Sequence, residues 1–187
     1  MQTQSMRIPS SPDLVESYWV LPDQFLAGEY PADIREDDAY ARLDSLLAAG
    51  VTTFVNLTTP GELPEYASVL RQRAARLGVE ISHQCFPILD LGLPSPAHMQ
   101  GILDFIDQAL ERRHKLYVHC WGGVGRTGLT VGCYLVRHGR TGEQALDQIA
   151  AWWLSMPKRQ YSPRSPETDE QVAFVLNWHE GAHTSST

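Results

Sequence analysis

One short segment constrains the fold of this chain more than any other. Lys115–His119 reads as a strand, and Thr127–His138, closed by Gly139, reads as an apolar helix. Between them runs His119-Cys120-Trp121-Gly122-Gly123-Val124-Gly125-Arg126-Thr127-Gly128. A strand that feeds a helix through a glycine-rich loop is a unit of an α/β sheet. In such sheets binding sites form beyond the C-terminal strand ends.

The rest of the chain follows the same alternation. Tyr18–Leu21 and Gln24–Ala27 flank a Pro22-Asp23 turn and read as a hairpin. Arg35–Ala49 has helical period, with Leu43, Leu46 and Leu47 on one face and Gly50 placed to end it. Val51–Leu57 and Val79–Pro87 read as strands, and Pro64–Leu77 as a helix stopped by Gly78. Ser95-Pro96 opens a helix carrying Ile102, Leu103, Ile106 and Leu110. Thr141 and Gln144 form a capping-box pair for a helix through Trp153. Ser165-Pro166-Glu167 is expected to start a last helix, with Val172, Val175, Leu176 and His179 at helical spacing. The expected fold is α/β: a central mixed, partly parallel sheet flanked by helices on both faces. A single domain is expected over 13–180, with loose polar ends at 1–12 and 181–187.

Composition narrows the function classes. The net charge of −7 argues against general nucleic-acid or anionic-membrane binding. No apolar run approaches the length of a bilayer span. Three cysteines, Cys85, Cys120 and Cys133, are too few and too irregularly spaced for a disulfide framework or a zinc site. A cytoplasmic monomer without metal or cofactor is the expectation.

The loop carries the chemistry. Gly122, Gly123 and Gly125 let the backbone curl so that successive N–H groups face one focus, an anion-binding nest. The following helix adds its positive N-terminal end. Arg126 stands at that helix start, where its planar fork can hold two oxygens of a phosphate at once. Cys120, at the strand end, faces the same focus, and these charges favour its thiolate, the nucleophilic form. The loop lacks the Gly-Lys-Ser/Thr ending of a nucleotide-binding loop.

Displacing an ester oxygen from phosphorus calls for a proton donor. Asp90 stands alone among apolar residues in Phe86-Pro87-Ile88-Leu89-Asp90-Leu91-Gly92-Leu93-Pro94, thirty residues before Cys120. Asp104 and Asp107 fall inside a helix and look like surface residues. Trp121 reads equally as a site wall or a packed indole. Arg159 and Arg164 read as solvated, and Gln171 as a helix-surface residue rather than one that positions water.

His119-Cys120, five residues and Arg126-Thr127 resemble the HCxxGxxR(S/T) signature of the protein tyrosine phosphatase superfamily. The short chain is similar to its dual-specificity branch, with a likeness to cyclin-dependent-kinase-associated phosphatases over about residues 49–150. Ala49-Gly50-Val51, Gly61-Glu62-Leu63 with Tyr66, Pro87-Ile88 with Asp90, and Cys120-Trp121-Gly122-Gly123 carry that likeness. It implies hydrolysis of a phosphomonoester, on phosphotyrosine with phosphoserine and phosphothreonine open, through a phosphocysteine on Cys120. It further implies that Arg126 binds the phosphate, Asp90 is the acid, Thr127 bonds the departing sulfur and His119 orders the loop. Trp121, Gly122, Gly123, Val124 and Gly125 would complete the phosphate cradle. The substrate would be a phosphorylated protein or a small phosphomonoester. Competing readings are an inositol or lipid phosphatase, a non-catalytic phosphate-binding module and a rhodanese- or arsenate-reductase-like thiol enzyme. The uncharged loop argues against the first, and Asp90 beside Cys120 and Arg126 against the second. Sulfur transfer has no need of Asp90, and arsenate reduction needs resolving cysteines.

Overall fold

The computed structural model describes residues 14, 16–32 and 40–180. Five strands form one sheet: β1 (Ser17–Leu21), β2 (Phe25–Gly28), β3 (Thr53–Asn56), β4 (Ser82–Cys85) and β5 (Leu116–His119). Their order across the sheet is β1-β2-β5-β3-β4. β1 pairs antiparallel with β2, whereas β2, β5, β3 and β4 run parallel. The register is flush, with Gly28 opposite His119, His119 opposite Asn56, and Asn56 opposite Cys85. Four parallel strands therefore end at one level, and the loops that follow them leave from a single edge.

Helices cover both faces, as the pattern predicted. Leu26, Phe54 and Tyr117 face α1 (Ala41–Ala48) and α2 (Ala67–Leu77) through Leu43, Leu46, Leu47, Leu70 and Ala74. Phe25, Ala27, Val55, Leu116 and Val118 point to the other face. There α3 (Pro96–Glu111), α4 (Gly125–Arg137), α5 (Gly142–Trp153) and α6 (Asp169–Leu176) complete the core. Every residue of β5 is buried, because it is the central strand of the sheet and is covered on both faces. Several local signals act as read: Ser95 accepts from the His98 N–H, Thr141 and Gln144 cap α5 reciprocally, and Gly78 ends α2 at φ +69.

Other boundaries differ from the sequence reading. The expected helix over Arg35–Ala49 begins in residues outside those described, and its described part is Ala41–Ala48. α2 begins at Ala67 rather than Pro64, because Tyr66 is buried as the N-cap and Tyr30 donates its hydroxyl to the Pro64 carbonyl. The strands expected over Val51–Leu57 and Val79–Pro87 shrink to four residues each. Apolar character continues past the ladder into the connections. α4 starts two residues early, which takes Arg126 into its first turn. α6 starts late, capped by Thr168 with Gln171 instead of by Ser165. The Ser165 hydroxyl is committed elsewhere, donating to the Val124 carbonyl at 2.7 Å. The face of this helix that is buried carries Gln171 and Val175, continued by Trp178, while Leu176 and His179 lie outward.

Asp104 is exposed, as read, and Asp107 is half-buried; both are paired. Arg137 of α4 pairs with Asp104 at 2.8 Å, Asp107 at 2.9 Å and Glu180 at 2.5 Å, tying α3, α4 and the segment after α6 together. Arg137→Leu is expected to lower stability by about 2 kcal/mol, since its charged hydrogen bonds are lost and, of the three carboxylates, Asp107 alone keeps a second partner among the described residues, His138 Nε2 at 2.9 Å. Urea unfolding measures this, and an unchanged midpoint would mean that the network contributes no net stability.

Candidate active site

Three loops from the flush strand edge meet: 120–124 after β5, 57–62 after β3 and 86–92 after β4. The first is shaped from outside. Tyr30 N–H donates to the Trp121 carbonyl at 2.8 Å, Lys158 Nζ to the Gly122 carbonyl at 3.0 Å and Ser165 Oγ to the Val124 carbonyl at 2.7 Å. In a trans peptide the carbonyl and the next N–H point oppositely. Drawing these carbonyls outward therefore turns the N–H groups of Gly122, Gly123 and Gly125 toward the concave side, which is the geometry of an anion nest. Gly123 cannot be replaced cheaply. It sits at φ +72, and a Cβ there would lie 2.5 Å from the Gly28 carbonyl carbon.

Arg126 is buried and heavily engaged. Nη1 donates to Glu62 Oε2 at 2.8 Å and to the Ile88 carbonyl at 3.1 Å, while Nη2 donates to Glu62 Oε1 at 2.6 Å. Glu62 thus takes the end of the guanidinium, two bonds side by side. Of the five N–H groups this leaves Nε–H and one Nη2–H, which form the side edge of the fork. Asp90 Oδ1 stands 2.9 Å from Nη2 as an ion-pair partner, without a hydrogen bond. Burial works against the Arg126 cation, but the bond to Glu62 and the charges of Cys120, Glu62 and Asp90 outweigh it and raise its pKa. The Arg126 bond in turn lowers the pKa of Glu62 to about 2, helped by the Thr59 N–H and hydroxyl.

His119 is fully buried at the root of the loop. Nδ1 faces the Cys120 carbonyl at 3.1 Å, and Nε2 faces the Tyr66 hydroxyl at 2.6 Å. A carbonyl only accepts, so Nδ1 carries the proton and Nε2 accepts from Tyr66. Burial pushes its pKa down to about 3, so the ring is neutral and adds no charge to the site. Thr127 Oγ1 donates to the Gly28 carbonyl at 3.4 Å, so the expected bond to the cysteine sulfur is not made in this structure.

The acid-bearing loop is pinned at both ends. Ile88 N–H bonds the Leu57 carbonyl at 3.0 Å, and Gln171 Nε2 reaches the Gly92 carbonyl at 3.3 Å. Gln171 is therefore not a surface residue; it is fully buried, and its Oε1 also accepts from the Glu167 and Thr168 N–H groups. Leu91 turns through φ +56, a left-handed conformation that costs a side-chain-bearing residue about 1 kcal/mol.

Asp90, Cys120 and Arg126 line one pocket of about 340 Å³, with Trp121, Gly122, Val124 and Gly125 from the cradle. Trp121 is 56% exposed, so it is a wall and not a packed indole. Arg159 and Arg164 do not line the pocket, and Arg164 pairs with Asp169 at 2.5 Å. Sequence reasoning missed Lys158, Tyr161, Ser162 and Glu167, which also line it. It met Glu62 only as part of a resemblance. The available signal was a carboxylate in a Thr-Thr-Pro-Gly turn directly after a buried strand. Among the described residues no group of three or more His, Cys, Asp or Glu is placed to hold a metal. No helix among them is long and apolar enough to cross a membrane.

The Glu62 pair sets a pH signature. Its folded pKa lies below the ordinary 4.5, so its contribution to stability is present above about 4.5 and is lost as pH falls toward about 2. Glu62→Gln is expected to be less stable than wild type at neutral pH, with the difference shrinking over that window. A gap that stays constant from pH 6 to pH 2, measured by denaturant unfolding, would show that the carboxylate charge contributes nothing.

Comparisons with known proteins identify the family. Protein tyrosine phosphatase domain-containing protein 1 of Mus musculus is 32% identical over 145 residues, 73% of this chain and 19% of that protein. Cyclin-dependent kinase inhibitor 3 of Homo sapiens is 30% identical over 109 residues, 57% of this chain and 50% of that protein. The chain thus spans a fifth to a half of the length of these relatives. The crystal structure of kinase associated phosphatase (KAP), with its catalytic-site cysteine changed to serine, superposes with a TM-score of 0.63 at 21% identity. That match covers 83% of this chain and 89% of KAP, and it shows the shared fold. Residues 15–175 match the family described as PTP-SAK, Swiss Army Knife protein, DSP-PTPase phosphatase domain, and the chain belongs to that family of dual-specificity-type phosphatase domains.

Proposed function

We propose that this domain hydrolyses phosphomonoesters on proteins, phosphotyrosine first, through a phosphocysteine on Cys120. One observation carries the reading: Cys120, Asp90 and Arg126 share a single pocket, with Asp90 2.9 Å from Arg126 Nη2. The phosphate enters with two oxygens on Nε and Nη2 of Arg126, parting Asp90 from Nη2, and the others in the nest. Glu62 keeps the guanidinium in place throughout. The Cys120 thiolate attacks phosphorus, forming S–P as the ester P–O bond breaks, and protonated Asp90 gives its proton to the leaving oxygen. Water then attacks the phosphocysteine. Asp90 takes a proton from it, S–P breaks, and inorganic phosphate and thiolate are released. In this reading the Thr127 hydroxyl, which donates to the Gly28 carbonyl at 3.4 Å, turns to serve the departing sulfur. His119, held by Tyr66, fixes the Cys120 carbonyl.

A second reading is a lipid or inositol phosphate substrate. PTPMT1 in complex with PI(5)P and the PP-IP phosphatase SIW14 of S. cerevisiae share the fold, with TM-scores of 0.64 and 0.62. Their identities of 16% and 13% bear on fold alone. Charge in this pocket favours the protein reading, since no residue between Cys120 and Arg126 is basic.

Cys120→Ser is expected to abolish turnover of an aryl phosphate while phosphate or substrate still binds, because the nest and Arg126 remain. Turnover near that of wild type would overturn the cysteine mechanism.

Asp90→Asn is expected to slow esters with poor leaving groups by on the order of 10²–10⁴-fold. The loss should shrink as the leaving group becomes able to depart as an anion. A rate series over graded esters checks this, and parallel lines for wild type and variant would remove Asp90 from proton transfer.

A further inference from the structure

The wall of the pocket is anionic where a polyphosphate site would be cationic. Glu167 lines the same pocket as Cys120 and Arg126. Its Oε2 lies against the first turn of α4, 3.1 Å from where a Cβ on Gly125 would stand. The backbone of Glu167 is fixed on both sides: its N–H donates to Gln171 Oε1 at 3.1 Å and its carbonyl accepts from Arg164 Nε at 3.1 Å. Its carboxylate makes no hydrogen bond or ion pair among the described residues. A charge held beside a binding site without a partner acts on whatever enters.

The pocket cations do not balance it. Arg126 is shared between Glu62 and the phosphate edge. Lys158 also lines the pocket, but it is paired with Glu29 and donates to the Gly122 carbonyl. A second anionic group next to the reacting phosphate would meet Glu167 and Asp90, with no unpaired cation among the described residues that line the pocket. A positively charged group in the same place would meet Glu167 directly.

We propose that Glu167 is a specificity-determining residue that selects phosphorylated protein segments bearing basic side chains beside the phosphorylated residue and rejects substrates with neighbouring anionic groups. This rests on the phosphoprotein reading given above and adds the charge of the flanking sequence. The interaction is at the pocket rim, so it is screened by salt.

The test uses three phosphotyrosine peptides that differ only in having Arg, Gln or Glu on both sides of the phosphotyrosine, with inositol hexakisphosphate as a fourth substrate. The readout is the ratio of kcat/KM values within each enzyme, which cancels any general loss of activity. For wild type the Arg peptide is expected to exceed the Gln peptide, and the Gln peptide the Glu peptide, by about threefold to fivefold at each step, the scale of an exposed ion pair. The spread should narrow at 0.5 M salt. Glu167→Gln should bring the ratios close to one, and Glu167→Arg should reverse their order. Equal ratios in wild type would overturn the inference while leaving the phosphatase reading standing. Ratios that persist unchanged in both variants, with all rates lowered together, would also overturn it, since Glu167 would then act on the reaction and not on the flanking charge. Faster hydrolysis of inositol hexakisphosphate than of the Arg peptide would overturn it as well. Absence of phosphate release from every peptide would remove the phosphoprotein reading and this inference with it.

Discussion

A buried guanidinium needs a permanent counter-charge, and the Arg126–Glu62 pair meets that need. A charge taken out of water without a partner is costly enough that the side chain would swing out or the loop would rearrange. Glu62 prevents both by occupying the end of the fork with two bonds, and Thr59 holds Glu62 from behind. The third bond, to the Ile88 carbonyl, ties the root of the acid-bearing loop to the same guanidinium. Connections after three different strands are thereby joined through one side chain. Their common level follows from the flush register of the parallel strands. The sheet supplies the alignment and the ion pair supplies the closure.

The nest is held by a second set of contacts. Tyr30, Lys158 and Ser165 draw three carbonyls outward from three different parts of the chain. The glycines permit this shape; these donors select it. His119 remains neutral beneath the loop, so the positive potential at the site comes from Arg126, the turned N–H groups and the start of α4. In a chain with a net charge of −7, these few sources converge on one point.

The parts of this arrangement visible in the sequence are those set by neighbours along the chain. The strand, glycines and helix around Cys120 could be read because each is local, and Asp90 could be read because it is the lone carboxylate in an apolar loop. The sheet with helices on both faces followed from alternation alone. The places of Glu62, Gln171, Lys158 and Glu167 could not be read because each gains its place from tertiary convergence. Gln171 shows the reason most clearly: its spacing is that of any helix N3 residue, and only the approach of Gly92 makes it a buried tie between two loops. Ser165 misled for a related reason. It has the sequence of a helix cap, but a carbonyl distant in sequence claims its hydroxyl. Strand lengths were overread because burial, which apolar patterns report, extends beyond the ladder.

Leu89, Leu91 and Leu93 stand in water at 73%, 54% and 44% exposure around Asp90, and Leu91 lines the pocket with the exposed Trp121 and Tyr161. Apolar surface left hydrated in the free protein carries a heat-capacity increment that disappears when the surface is covered. Association with a folded partner that lies across this rim therefore carries a negative heat-capacity change, and its enthalpy becomes more favourable on warming. A small phosphate ester that reaches only Arg126 and the nest leaves the leucines wet and lacks that signature. Calorimetry across temperature thus distinguishes recognition by the cradle from recognition by its collar.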